Sequence, residues 1–176
     1  MNTVLKMEED DDPHTEVLNR LERRLKYVEQ GIRVEELDDD SGSMEKMQQT
    51  CDIAELYRLA GLIYLNRAGR KMDISNSALQ SVTESAFAIL DKLHICERTF
   101  PLFIISCEAR TDVQRATVLQ LMNNTRTQFV PTNITRVHGY IERFWAMDEL
   151  DVLQGTSYAE KMTAVLSCRE AVPTFC

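Results

Sequence analysis

Apolar residues recur along most of this chain at helical spacing. Val17, Leu18, Leu21, Leu25 and Val28 fall at intervals of 1, 3, 4 and 3, while Arg20, Arg23, Arg24 and Lys26 take the other faces. That is one stripe of an amphipathic helix. Asp12 ahead of Pro13 offers a capping carboxylate and a proline at the first helical position. Gly31 offers a stop. The pattern predicts a helix over about 13–30, which is marginal alone in water and must either dock on the rest of the chain or dimerise. A second stripe runs through Ile53, Leu56, Tyr57, Ala60, Ile63, Tyr64 and Ala68, with Thr50 as cap, Asp52 in the first turn and Gly69 at a left-handed stop. It predicts a helix over 51–68, about 27 Å long at ~1.5 Å per residue.

Ser77 and Gln80 spell a capping box, and Leu79, Val82, Ala86, Ile89, Leu90 and Leu93 follow it at helical period. Thr111 and Gln114 spell another, ahead of Val118, Leu119 and Met122. Pro131 and Thr132 precede the last strong stripe, Ile134, Val137, Ile141, Phe144 and Trp145. Between these lies a run without alternation, Leu102 to Ile105, flanked by Thr99 and Pro101. Pro101 suits the first turn of a helix and Thr99 its cap, so 101–109 is expected to be a helix buried on every side. The sum is an all-α fold of about six helices in a single compact domain over 50–154. Residues 1–49 form an acidic, partly disordered lead carrying the 13–30 helix. Residues 31–49, with Asp38, Asp39, Asp40, Ser41, Gly42 and Ser43, are expected to be a mobile linker. Residues 155–176 are a tail of unassigned structure.

At 176 residues the chain has the size of one domain, long enough to bury a core without disulfides or metal. Six Gly, four Pro and 7% aromatic content argue against an all-β fold. No run of eighteen apolar residues exists to span a membrane. The first thirty residues lack the apolar core of a secretory signal, so the five cysteines, none in a C-x-x-C pair, read as reduced intracellular thiols. Charge is uneven. Residues 1–45 carry 14 acids and 6 bases, while 46–176 carry 14 of each, so the net −8 sits in the first quarter. That balance opposes a broad nucleic-acid footprint and a polybasic membrane anchor.

Catalytic templates are missing. There is no G-x-S-x-G, no Gly-rich phosphate loop and no H-E-x-x-H. His94 and Cys96 are spaced wrongly for joint ligation, and His138 with Glu142 reads as an exposed i,i+4 pair. Cys107, beside Glu108, reads as buried packing. Arg67, Arg70 and Lys71 read as cations placed at a helix C-terminus, with a phosphate contact as the lesser reading. The sequence therefore assigns no catalytic, cofactor-binding or metal-ligating residue, and a non-enzymatic chain is expected. It is also expected to bind neither zinc nor specific DNA on its own, because four convergent ligands and a basic surface are both lacking.

One segment carries more. Phe100-Pro101-Leu102-Phe103-Ile104-Ile105-Ser106-Cys107-Glu108-Ala109, followed by Asp112 and Arg115, resembles a signature in the regulatory domain of fungal zinc-binuclear-cluster transcription factors. Leu56 to Leu65 resembles the helix ahead of that signature. Arg136 with Ile141-Glu142-Arg143-Phe144-Trp145 resembles the helix after it. The likeness covers about residues 50–150 in the right order. Ile105-Ser106 stand where the family usually has two small residues, and no cysteine set here matches the six-cysteine zinc cluster of such factors. The resemblance implies an all-α regulatory domain, nuclear residence, transcription regulation through protein partners, and in some members response to an effector. The competing reading is a helical partner-binding adaptor unrelated to transcription.

Overall fold

A helix that is apolar on every side has to be enclosed, and the arrangement of this chain follows from enclosing one. The computed structural model describes residues 12–28, 41–128, 132–150 and 155–167. Among them the elements are, in order, α1 (Pro13–Lys26), α2 (Ser41–Tyr64), a π-helical turn (Leu65–Gly69), α3 (Ser77–Leu90), α4 (Thr99–Ser106), α5 (Asp112–Gln128), α6 (Thr132–Glu149) and α7 (Tyr158–Leu166). The described residues form one all-α domain with no strand. Helix α4 lies at its centre, touching α2, α3, α5 and α6, and α7 packs on α6 and the π-turn.

Every residue of α4 except the half-buried Phe100 is buried, and Leu102 and Ile105 are wholly so. The expected buried helix is thus present. Its cap differs: Arg98 precedes the helix without a side-chain cap, and Thr99 is already helical. The surroundings of α4 supply aromatic and apolar partners in equal measure. Phe100 stacks with Tyr57 of α2 at 6.2 Å between ring centroids. Phe103 meets the edge of Tyr140 of α6 at 6.3 Å. Trp145 of α6 donates its indole N–H to the Ser106 carbonyl at 2.8 Å, satisfying one of the last carbonyls of α4 where water cannot reach.

Helix α2 begins at Ser41, ten residues before the expected start, so 41–49 is helical and not linker. The reason is local. Residues 44–49 are mostly strong helix formers, and lengthening an existing helix costs far less than nucleating one. Thr50 caps nothing; its hydroxyl donates back to the Lys46 carbonyl at 2.8 Å. The expected mobility of 31–40, the Gly31 stop and the acidic run at 7–11 lie outside the described residues.

Helix α1 opens as expected, with Asp12 accepting from the His14 N–H and Pro13 in the first turn, but it ends at Lys26. It docks on the domain by a narrow edge. Leu18 is buried against Gly69, where an added Cβ would come within 2.8 Å of a Leu18 methyl. Val17, Leu21 and Val28 of its stripe stay exposed. Gly69 is therefore needed for close approach. The left-handed residue after the helix is Lys71, at φ 53°. Helix α3 is capped by Asn76, one residue ahead of the expected Ser77. Helix α5 opens on the predicted box: Thr111 accepts from Gln114 N–H, and the Gln114 side chain accepts from Thr111 N–H, both at 3.2 Å. Leu119 of its expected stripe is exposed, and Leu121 takes the core position. All five residues of the expected α6 stripe are buried, with Tyr140 besides.

Ile104 is 2% exposed at the centre of this packing. Ile104→Asp buries a carboxylate with no partner and should cost several kcal/mol, about the top of the range for single substitutions. Urea titration of the variant should show a collapsed midpoint; an unchanged midpoint would contradict a core centred on α4.

Candidate functional site

The signature segment ends in a buried network of charges beside a cleft. Helix α4 runs out at Ser106, and its last turn carries Cys107, Glu108 and Ala109 inside the protein, all nearly without solvent exposure. The π-turn brings Arg67 to the same place. This turn is closed by a wide hydrogen bond from Arg70 N–H to the Leu65 carbonyl, 3.0 Å. One Glu108 oxygen accepts from Arg67 Nε at 3.1 Å. The second, Oε2, is buried without a hydrogen-bond partner and lies 4.0 Å from the Arg110 guanidinium. Arg110 in turn pairs with Asp148 of α6, and Lys161 of α7 donates to the same carboxylate at 2.7 Å. Arg67 also donates to the Met72 carbonyl at 2.7 Å and sits 5.0 Å above the Tyr158 ring.

Charges of alternating sign thus run from Arg67 through Glu108, Arg110 and Asp148 to Lys161. They join five parts of the chain: the π-turn, the end of α4, the loop after it, α6 and α7. Above them opens a cleft of about 350 Å³, lined among others by Lys71, Asp73, Thr156 and Ser157. Helix α7 forms one wall. Ser157 and Glu160 make a complete capping box at its start. Tyr158, Met162 and Val165 are buried against the core, with Tyr158 edge-on to Phe144 at 5.6 Å.

Burial governs the ionisation here. It pushes the Glu108 carboxyl above the usual carboxylate range, against the pull of Arg67 and Arg110. It lowers Arg110 from the ordinary guanidinium value, against the pull of Glu108. The Cys107 thiol is driven well up, chiefly by burial and secondarily by Glu108, and Cys96 is pushed up to about 11 by burial. A thiol held protonated by burial is a poor nucleophile.

The basic triplet seen in the sequence is divided by the fold. Arg67 serves the cleft. Arg70 holds α1, pairing with Glu22 at 2.6 Å and Asn19 at 2.7 Å. Lys71 stands exposed at the cleft mouth. His138 and Glu142 form the expected i,i+4 pair at 3.6 Å. Cys96 lies in the loop before α4, where its N–H donates to Thr125 at 2.9 Å. Among the described residues no cluster of His, Cys, Asp and Glu could hold a metal ion. Sequence reasoning missed Arg110, Asp148 and Lys161. It also passed over Ser157 and Glu160, whose S-x-x-E spelling marks α7.

Two outcomes follow from this geometry. Glu108→Ala strands the Arg67 guanidinium, whose side chain is 13% exposed, and should cost about 2–4 kcal/mol in urea unfolding. The folded chain also holds the Glu108 proton to higher pH than the unfolded chain does. Raising pH from the ordinary carboxylate range through the folded pKa therefore costs stability, a slope that Glu108→Gln should remove. Second, Cys96 and Cys107 should remain unmodified after brief iodoacetamide treatment near pH 7.5 and react only on unfolding, as read by peptide mass mapping. Rapid native labelling of either would show that the core opens.

Comparison with known proteins gives this architecture a family. Residues 2–168 match the fungal specific transcription factor domain. Over 123 residues the chain is 35% identical to Transcription factor iacI of Pestalotiopsis fici, an alignment covering 70% of this chain and 32% of that protein. The chain thus spans about a third of the length of that curated relative. No solved structure matches. With a match over nearly the whole chain, the chain belongs to the fungal specific transcription factor domain family.

Proposed function

We propose that this chain is a regulatory module of transcription, working in the nucleus through contacts with other proteins and sensing an effector at the cleft between the π-turn and α7. The observation that carries the reading is the family match over residues 2–168, reinforced by the iacI relative being a transcription factor. The chemistry agrees. In the cleft, Arg67 is paired with Glu108, and Arg110 and Lys161 with Asp148. Contacts with protein suit the charge distribution, because the acid excess of residues 1–45 complements a basic partner surface. DNA contact by this chain alone does not suit a net charge of −8.

The test is to tether the whole chain to an unrelated DNA-binding domain in a fungal host and read a reporter gene. A change of about tenfold or more over the DNA-binding domain alone, in either direction, is expected, and it should fall with Glu108→Ala, which dismantles the cleft. In parallel, the untethered fluorescent fusion should concentrate in nuclei. A reporter indistinguishable from the control, with the chain excluded from nuclei, would sink the transcription reading in favour of an adaptor.

A further inference from the structure

We propose that the cleft between the π-turn, the α4–α5 loop and α7 binds a small organic dianion, bearing carboxylate or phosphate groups, and that the bound anion fastens α7 to the domain. The proposal deepens the effector reading above and rests on it.

The cleft concentrates positive charge on an acidic protein. Arg67, Lys71, Arg110 and Lys161 line it with Asp73 and Asp148, so four cations meet two carboxylates in its walls, while Glu108 pairs with Arg67 without lining the cleft and Glu160 stands near Lys71. The chain as a whole carries −8. The carboxylates are also spoken for. Asp148 alone serves both Arg110 and Lys161. Asp73 accepts from the backbone N–H of Ser75 at 2.8 Å. Arg110 keeps donors to spare, since a guanidinium has five and its geometry suits an oxyanion. Lys71 forms no ion pair among the described residues; the nearby Glu160 carboxyl is held low chiefly by its hydrogen bonds with Ser157 and only lastly by the Lys71 charge.

Two further observations point the same way. Lys71 is the one non-glycine described residue with positive φ, at 53°. That is the left-handed conformation in which helices commonly end, and here it follows the π-turn and leaves Lys71 in the wall of the cleft. Ser157, the cap of the nine-residue α7, and its first residues Tyr158 and Ala159 form another wall of the same space. A volume of about 350 Å³ suits a compact metabolite. Because the walls belong to separate elements, an anion bridging Lys71 and Arg110 to the start of α7 adds a link between them. By mass action it favours the docked state of α7.

Isothermal titration of the full chain at low salt should show saturable binding of succinate or of glycerol phosphate, with dissociation constants below about 1 mM, and none of the neutral succinamide. Whichever of the two probes binds more tightly identifies the head group. Lys71→Glu, an exposed position, should weaken binding about tenfold or more, while Lys92→Glu, the same charge change on a distant surface, should not. Amide exchange across 158–166 should slow on binding, with 121–125 unchanged. Three results would overturn the proposal: no binding of either dianion, equal loss in both lysine variants, or binding without protection of α7. The outcome is separable from the reporter test. Failure to bind leaves a positive reporter standing, and a silent reporter leaves a measured anion site standing.

Discussion

Enclosure of α4 is the constraint on which the rest depends. Eight residues make a helix about 12 Å long, too short to persist in water without tertiary support. Nor can this one be placed at a surface, because Leu102 to Ile105 put apolar side chains around its whole circumference. Four helices must therefore surround it. Each brings its stripe to a different side: Leu56, Ile63 and Tyr57 from α2, Leu79 and Leu90 from α3, Val118 and Met122 from α5, Tyr140 and Phe144 from α6.

Burying the rod buries its ends, and there the backbone demands partners. Ser106 turns its hydroxyl back to Leu102 O at 2.6 Å while its own carbonyl takes the Trp145 N–H. One residue pair later the chain carries Glu108 into the same interior. Ion pairs of this kind add little net stability, because desolvation offsets most of the attraction, and a well-packed apolar set would hold the space as firmly. What charges supply that methyl groups do not is direction. Arg67 must reach Glu108 from the π-turn, and Asp148 must meet both Arg110 and Lys161, so the network admits few alternative placements of α7.

Six of the seven described α-helices, all but α7, were legible in the sequence because each depends on a local pattern. Leu79, Ala86 and Leu90, or Ile134, Val137 and Ile141, are buried because they share a face, and spacing alone reveals a face. Boundaries were less legible. At α3 the eye takes Ser77 for the cap when Asn76 beside it has an equal claim, and only the backbone angles decide. At α2 the Ser41-Gly42-Ser43 composition reads as loop, while the helix formers after it extend the helix. The cleft was hidden for a different reason. Arg67, Glu108, Arg110, Asp148 and Lys161 are spread over nearly a hundred residues, and no spacing rule links an arginine to a carboxylate 41 positions away. The signature pointed to Glu108 but not to its partners.

The same separation explains why α7 matters although it is short and distant in sequence. A domain of α1 to α6 alone would leave Tyr158's place beside Phe144 open and Asp148 serving Arg110 only. Helix α7 closes the apolar side with Tyr158, Met162 and Val165 and the polar side with Lys161. One face of one helix thus completes both the core and the cleft. Anything that shifts the charge of the cleft must then bear on the packing of the core beneath it, because Lys161 and Met162 are adjacent and move together. Met162 reaches Cys107 at 4.0 Å, next to the carboxylate that anchors Arg67. The coupling is a matter of contiguous contacts, from the cleft mouth at Lys71, across α7, to the end of the rod on which the fold is built.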